Sequence, residues 1–181
     1  MTTKILLTGP PRCGKSTLIM KVINYCKENE ITVDGFLTPE VKEGNKRIGF
    51  DIERISINER RTLARIGNYR TQYRLGKYHV FIGEFEKIIS KLEKLEFKER
   101  NIVVVDEIGK MELFSQKFQK LVKILFKLDI NIIATIGQSL QHPIKDYLLN
   151  LPEVLLITLN RENIQTIQQK ILDIIDKIFF Q

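Results

Sequence analysis

The stretch Gly9-Pro10-Pro11-Arg12-Cys13-Gly14-Lys15-Ser16 decides how the rest of this sequence of 181 residues is interpreted. It follows the apolar run Ile5-Leu6-Leu7 and has the spacing G-x-x-x-x-G-K-[ST], which is typical of a loop that binds the phosphates of a nucleoside triphosphate. Glycines let the backbone wrap around a phosphate with its N–H groups pointing inward. We therefore expect Lys15 to contact the β and γ phosphates and the Ser16 hydroxyl to bind Mg²⁺.

The segments on either side of this stretch, called the phosphate loop below, strengthen that interpretation. A buried-type strand precedes it, and the amphipathic segment Thr17–Asn29 predicts a helix whose positive N-terminal end faces the same anion. An ordinary glycine-rich turn with a solvated lysine is the weaker alternative in this context. We predict nucleotide contacts from Gly9, Pro10, Pro11, Arg12, Cys13, Gly14, Lys15, Ser16 and Thr17.

A pair of acidic residues supplies the second half of the expected site. Asp106 and Glu107 directly follow Ile102-Val103-Val104-Val105, a continuous β-branched run that is typical of a strand covered on both faces. We expect Asp106 to hold Mg²⁺, mostly through water, because Mg²⁺ keeps much of its hydration shell. Glu107 is the candidate general base that polarises the attacking water. The alternative, a solvated strand end, is disfavoured by the presence of the phosphate loop.

Strand-like and helix-like segments alternate along most of the chain. This order predicts an α/β fold with a mostly parallel central sheet and helices on both faces. Gly44-Asn45 before the β-type stretch Arg47–Ile57 predicts a β-hairpin insertion, whereas Glu59–Gly76 lacks a clear period and is expected to be a loop. No internal repeat or linker is found, so a single domain is predicted over residues 1–181.

The remaining elements follow from hydrophobic periodicity. The predicted strands are Lys4–Thr8, Val33–Thr38, Asn131–Ile136 and Val154–Leu159. The predicted helices are Glu84–Phe97, Gln116–Lys127 with Ser115 as its cap, Ile144–Leu149, and a last helix capped by Asn160.

Composition limits the possible partners. Lys and Arg outnumber Asp and Glu by 29 to 22, a net charge of +7, but only Arg54–Arg74 concentrates arginine. We expect that segment to be a solvated loop, with contacts to nucleotide phosphates or to a polyanion such as RNA as the alternatives. No apolar run reaches the ~20 residues of a membrane span and no signal peptide is found, so we expect a cytoplasmic monomer without a membrane partner.

The eleven residues 106–116, Asp-Glu-Ile-Gly-Lys-Met-Glu-Leu-Phe-Ser-Gln, carry a family resemblance. They closely resemble the signature of the small P-loop nucleoside triphosphatases, the family that includes the human cancer-related nucleoside triphosphatase. Shorter segments agree with that family along nearly the whole chain: Val33–Phe36, Lys46–Asp51, Gly76–Tyr78, Phe85-Glu86 and Asn160-Arg161. The resemblance implies a P-loop fold with an extra strand between the phosphate-loop strand and the acidic strand. It also implies Mg²⁺-dependent hydrolysis of ATP, GTP and other nucleoside triphosphates to the diphosphate and phosphate.

Further candidate residues lie beyond the two motifs. We expect nucleotide contacts from Ile108, Gly109 and Lys110 after the acids and from Asn160 and Arg161 near the base, and we expect Lys15 and Glu107 to be the catalytic residues. Lys110 and Glu112 lie near the expected γ phosphate or simply anchor the loop, and Thr135 is a candidate contact to phosphate or water. The sequence departs from the family at Arg12-Cys13, where relatives usually carry Gly-Val.

Two other functions remain open. A nucleoside or nucleotide kinase would place an acceptor hydroxyl where water attacks, although no arginine-bearing lid follows the acidic strand. A nucleotide-controlled RNA-binding module would use Arg54–Arg74. No arginine finger is identifiable, and Arg47 or an arginine of that segment is a weak candidate.

Overall fold

The structure, a computed structural model, describes residues 2–93 and 101–180. In these residues ten strands belong to one sheet, and five α-helices pack against it. The strands are β1 (Lys4–Thr8), β2 (Thr32–Leu37), β3 (Glu40–Glu43), β4 (Lys46–Arg54), β5 (Arg60–Ile66), β6 (Tyr73–Leu75), β7 (Tyr78–Val80), β8 (Asn101–Ile108), β9 (Asn131–Ile136) and β10 (Val154–Thr158). The helices are α1 (Lys15–Glu28), α2 (Ile82–Leu92), α3 (Gln116–Lys127), α4 (Pro143–Leu149) and α5 (Ile164–Phe180).

Parallel strands form the half of the sheet that carries the phosphate loop and the acidic pair. Their order is β10-β1-β9-β8-β2, so β9 lies between the phosphate-loop strand β1 and the acidic strand β8. This is the extra strand that the family resemblance implies. Ligands of such sheets bind at the carboxyl ends of the strands, and both the phosphate loop and the acids lie at that edge.

Antiparallel strands extend the sheet beyond β2 in the order β4-β5-β7-β6, and β3 pairs with β4 as a hairpin. The predicted hairpin is confirmed, but it is one part of a larger antiparallel insertion. The predicted α/β class, with a mostly parallel central sheet and helices on both faces, is confirmed.

Each face of the parallel strands carries its own helices because alternate side chains point to opposite faces. Ile5 and Leu7 pack with the apolar residues of α1 and α5. Leu6, between them, packs on the other face in a larger cluster with α2, α3 and α4. This burial on both faces explains the unbroken apolar runs in β1 and β8.

The prediction of a loop over residues 59–76 is wrong, and so is that of a solvated loop over residues 54–74, because β5 and β6 lie in these segments. Leu63 and Ala64 of β5 are fully buried, but arginines surround them and hide the period of the strand. The predicted helix Glu84–Phe97 corresponds to α2, and its residues 94–97 lie outside the described residues. No helix in the described part of the chain is long and apolar enough to cross a lipid bilayer.

Candidate active site

The two motif glycines stand where a side chain would meet atoms of Leu159 and Ile164. Gly9 has a φ of 153° and Gly14 a φ of 103°, conformations that favour glycine. A Cβ atom on Gly9 would lie 2.4 Å from the carbonyl oxygen of Leu159, and one on Gly14 would lie 2.5 Å from Cδ1 of Ile164. The turn between β10 and α5 therefore packs directly against the phosphate loop.

Arg12 and Cys13, the two residues that depart from the family pattern, occupy different environments. Arg12 has a left-handed backbone with a φ of 60° and an exposed side chain. Cys13 is buried, and its N–H donates a hydrogen bond of 3.3 Å to the carbonyl oxygen of Pro10. The Cys13 side chain thus lies in the interior of the protein, whereas the Arg12 side chain faces solvent.

Lys15 is the first residue of α1 and bends back over the loop. Its Nζ donates hydrogen bonds to the carbonyl oxygens of Gly9 at 2.9 Å and of Pro10 at 3.1 Å. Gly14 caps α1 without a side chain, which leaves the N–H groups of the first turn available to an anion. A positive side chain and the positive end of a helix are therefore present at the same place.

Asp106 joins the acidic strand to the phosphate loop. Its carboxylate is only 4% exposed and accepts a hydrogen bond from the hydroxyl group of Thr135, and the hydroxyl group of Ser16 is close enough to favour its charged form. Burial raises the pKa of Asp106, while the two hydroxyl groups and the charge of Lys15 act in the opposite direction. The structure thus brings together Ser16 and Asp106, the two residues expected to hold the metal.

Glu107 lies beside a second buried carboxyl group. Burial and then the charge of Asp106 raise the pKa of Glu107, against the effect of Lys15. A Cβ atom on Gly109 would lie 2.8 Å from Oε1 of Glu107 and 2.6 Å from Oε2 of Glu112. Burial, reinforced by the charge of Glu107, raises the pKa of Glu112 to about 8. The sequence suggested Glu112 only as a residue near the phosphate or an anchor, and its position beside Glu107 is new information.

The residues next to this pair differ in exposure. Ile108 is fully buried and Gly109 is also buried, whereas Lys110 is exposed. A nucleotide contact from Ile108 or Gly109 would therefore use the backbone, and one from Lys110 would use the ammonium group.

Asn160 and Arg161 begin the turn that packs against the phosphate loop. Asn160 is not the N-cap of the last helix, because α5 begins only at Ile164. Its side chain instead accepts hydrogen bonds of 2.9 Å and 2.8 Å from the N–H groups of Glu162 and Asn163, which closes the turn. The expected cap is thus a local turn residue, and Arg161 beside it is exposed.

Most arginines of the insertion are bound to the protein's own acidic residues. Arg54 forms a buried ion pair with Asp34 at 2.9 Å. The other pairs are Arg60 and Arg65 with Asp51, Arg61 with Glu59 and Glu84, and Arg47 with Glu40. These arginines hold the antiparallel strands together, and of the arginines in residues 54–74 only Arg60, Arg70 and Arg74 are exposed.

A cavity of about 530 Å³ lies beside the turn that follows the acids. Its walls include Tyr73 and Phe114, whose rings stack with centroids 5.0 Å apart, and the carboxyl-bearing Glu86. No residue of the phosphate loop lines it. The cavity is therefore a feature of the insertion and of α2 rather than of the phosphate site.

The chain is similar to known proteins over nearly its whole length. A family model described as NTPase matches residues 4–172. The nucleoside-triphosphatase THEP1 of Thermotoga maritima is 38% identical over 172 residues, which make up 95% of each chain. The human cancer-related nucleoside-triphosphatase is 39% identical over 131 residues, 68% of each chain.

Two solved structures share the fold. The crystal structure of THEP1 from the hyperthermophile Aquifex aeolicus gives a TM-score of 0.82 at 31% identity, with 96% of this chain and 99% of that chain covered. The solution structure of a human cancer-related nucleoside triphosphatase gives a TM-score of 0.82 at 33% identity, with 97% of this chain and 98% of that chain covered.

Proposed function

The chain belongs to the NTPase family of nucleoside-triphosphate hydrolases, and from that premise we propose that it hydrolyses ATP, GTP and related triphosphates with Mg²⁺ by attack of water on the γ phosphate. One observation carries the proposal: the phosphate loop after β1 and the acidic residues at the end of β8 lie at the same edge of the sheet, on either side of β9, and the charge of Lys15 acts on both Asp106 and Glu107. The loop that would bind the phosphates and the residues that would activate water are thereby adjacent.

The phosphate loop and the start of α1 bind the triphosphate in this proposal. Their backbone N–H groups surround the phosphates, as the positive end of the helix favours. Lys15 exchanges the carbonyl oxygens of Gly9 and Pro10 for oxygens of the β and γ phosphates, since hydrogen bonds between ionised partners are the stronger ones. The turn with Asn160 and Arg161 lies beside the loop and is the candidate contact to the base.

The donor atoms at the junction fit Mg²⁺. Ser16 and Asp106 offer hard oxygen ligands, and Mg²⁺ is typically held by one or two such groups together with substrate phosphates and water. Among the described residues there is no group of three or more His, Cys, Asp or Glu that would hold a metal without a substrate. When bound, the ion would neutralise charge on the β and γ phosphates.

Glu107 is the proposed general base. Its raised pKa, caused first by burial, makes it a stronger base than an exposed carboxylate. Glu107 takes a proton from the attacking water as the new bond from the water oxygen to the γ phosphorus forms. The bond to the oxygen of the leaving diphosphate breaks in line with it, and Lys15 stabilises the charge that develops.

The two alternative functions find less support. A kinase needs an acceptor pocket beside the γ phosphate, and the cavity of about 530 Å³ is lined by the insertion and α2 but not by the phosphate loop. An RNA-binding surface needs free positive charge, and Arg54, Arg60 and Arg65 are paired with carboxylates. Hydrolysis requires neither feature.

The decisive experiment compares the purified protein with Glu107→Gln and with the control Glu43→Gln, an exposed position on β3. We expect Glu107→Gln to bind a non-hydrolysable ATP analogue normally and to release phosphate about 10²–10⁴-fold more slowly, the contribution of a general base. The control should match the wild type. Full activity of Glu107→Gln would refute the assignment of the base, and transfer of phosphate to an added nucleoside or monophosphate would favour the kinase.

A further inference from the structure

The segment after the acids folds into a tight turn that is anchored in the core. Leu113 N–H donates a hydrogen bond of 3.0 Å to the carbonyl oxygen of Gly109, and both Met111 and Leu113 are buried in the large cluster under α2 and α3. Glu112 lies between these two anchors and is itself only 5% exposed. A carboxyl group so deeply buried is costly unless it has partners.

The partners of Glu112 are backbone groups of this turn. The N–H groups of Gly109 and of Glu112 itself favour the charged form of its carboxyl group and act against the rise in its pKa. Because burial raises the pKa of Glu112 to about 8, the group adds little negative charge beside Glu107 at neutral pH. Glu112 thus lies buried in the turn beside Gly109 without repelling Glu107 strongly.

Gly109 brings the two carboxyl groups together. The position of a Cβ on Gly109 lies 2.6 Å from Oε2 of Glu112, 2.8 Å from Oε1 of Glu107 and 3.1 Å from Cγ of Glu107. The Glu107 side chain therefore rests against the bare Cα of Gly109, and Glu112 occupies the space behind it. A side chain at position 109 would have to displace one carboxyl group or both.

We propose that Glu112 is a positioning residue for the reaction: through Gly109 it holds the Glu107 carboxylate in place for the attacking water. This inference rests on the proposed role of Glu107 as general base. Displacement of a catalytic group by about 1 Å can reduce the rate on the order of 100-fold, so loss of this support should lower kcat. It should leave nucleotide affinity unchanged, because the phosphate loop does not depend on Glu112.

The test uses the full chain and two independent changes. Glu112→Leu keeps roughly the size of the side chain but removes the oxygens that lie beside Gly109, whereas Glu112→Gln keeps an oxygen there. Gly109→Ala forces a Cβ into the space between the carboxyl groups, and its control is Gly137→Ala, where the nearest atom would be 3.7 Å away. Steady-state hydrolysis, affinity for a non-hydrolysable ATP analogue and the melting temperature are measured for each.

We expect Glu112→Leu to lower kcat at least about 10-fold with affinity unchanged, Gly109→Ala to lower kcat by at least as much, and Glu112→Gln to stay within about 3-fold of the wild type. Normal kcat in Glu112→Leu or Gly109→Ala would overturn the proposal, as would equal losses in Glu112→Gln and Glu112→Leu. If Glu112→Leu does not fold, Gly109→Ala decides alone. The proposed function is tested separately by the wild type and Glu107→Gln. If the wild type hydrolyses triphosphates and Glu107→Gln does not, a normal kcat in the Glu112 or Gly109 variants contradicts only the role proposed for Glu112.

Discussion

The Thr135 hydroxyl at the end of β9 donates a hydrogen bond of 2.5 Å to Oδ1 of Asp106 at the end of β8. Thr135 is fully buried, and the Ser16 hydroxyl acts on the same carboxylate by favouring its charged form. The strand β9, between β1 and β8, thus supplies a hydroxyl group that contacts Asp106, the proposed metal ligand. Such outer groups orient a ligand and commonly change metal affinity about 10–100-fold when they are removed.

Thr135→Val should therefore weaken the response to Mg²⁺. Valine has the same shape but no hydroxyl, so Asp106 loses a hydrogen bond that favours its charged form. We expect the Mg²⁺ concentration for half-maximal hydrolysis to rise about 10-fold, with a smaller change in kcat at saturating Mg²⁺. Thr135→Ser keeps the hydroxyl and should behave as the wild type. An unchanged Mg²⁺ titration for Thr135→Val would contradict the role given to this hydrogen bond.

The ion pair between Arg54 and Asp34 should dominate the stability of the junction between the parallel and antiparallel strands. The Arg54 guanidinium makes two hydrogen bonds, of 3.3 Å and 2.9 Å, to the two oxygens of Asp34, and both side chains are about 90% buried. Arg54→Met should cost about 3–5 kcal/mol in the free energy of unfolding, because it leaves the Asp34 charge buried and unpaired.

Urea denaturation of Arg54→Met and of Arg60→Met provides the comparison. The Arg60 side chain is 47% exposed although it pairs with Asp51, so its loss should cost no more than about 1 kcal/mol. Equal decreases in the free energy of unfolding of the two variants would show that the buried ion pair stabilises the fold no more than the exposed one.

The parallel and the antiparallel half of the sheet differ in how well the sequence predicts them. The parallel half was predicted well, with Asn131–Ile136 found at its expected bounds, because a strand covered on both faces is a continuous apolar run. The antiparallel insertion was not predicted well, because β5 carries arginines whose acidic partners are far away in sequence, such as Glu84 for Arg61. A charge paired through tertiary structure looks like a solvated charge in the sequence.

The site shows the same limit. The spacing of the phosphate loop and the position of Asp106 after an apolar strand were enough to expect Ser16 and Asp106 at one place, because each motif fixes its local geometry. Glu112 was expected near the γ phosphate or as an anchor of the loop, but its burial beside Glu107 was not predicted, since a glutamate after Gly-Lys-Met gives no sign of burial. The spacing of Gly109 and Glu112 within the signature was the available signal, and only the fold shows that Glu107 packs against the same glycine.

Arg12→Gly should stabilise the protein slightly without weakening substrate binding. Arg12 has a φ of 60°, and a left-handed conformation costs a non-glycine residue roughly 1–2 kcal/mol. The greater freedom of glycine in the unfolded chain offsets part of this gain, so we expect about 0–1 kcal/mol. Because the Arg12 side chain is exposed, KM for ATP should stay within about twofold, and Arg12→Ala should do the same without the gain in stability. A large rise in KM in both variants would instead reveal a contact between Arg12 and phosphate.

The buried carboxyl group of Glu112 should make the stability of the protein depend on pH. Its pKa is about 8 in the folded protein and near its ordinary value of 4.5 in the unfolded chain. Between these values the folded state keeps a proton that the unfolded state has released. The free energy of unfolding therefore falls as the pH rises from about 4.5 to 8. The stabilisation by the protonated Glu112 is complete below pH 4.5 and is lost above about pH 8.

Glu112→Gln removes this titration and provides the measurement. Denaturation curves at pH 5 and pH 9 should show that the free energy of unfolding of the variant rises relative to that of the wild type between these pH values, by an amount on the order of a few kcal/mol. The control Glu43→Gln concerns an exposed carboxylate and should follow the wild type at both pH values. A difference between wild type and Glu112→Gln that is the same at pH 5 and pH 9 would mean that Glu112 is ionised in the folded protein. The turn would then hold a charged carboxylate beside Glu107, and the N–H groups of Gly109 and Glu112, which favour the charged form, would have to offset the full cost of burying it.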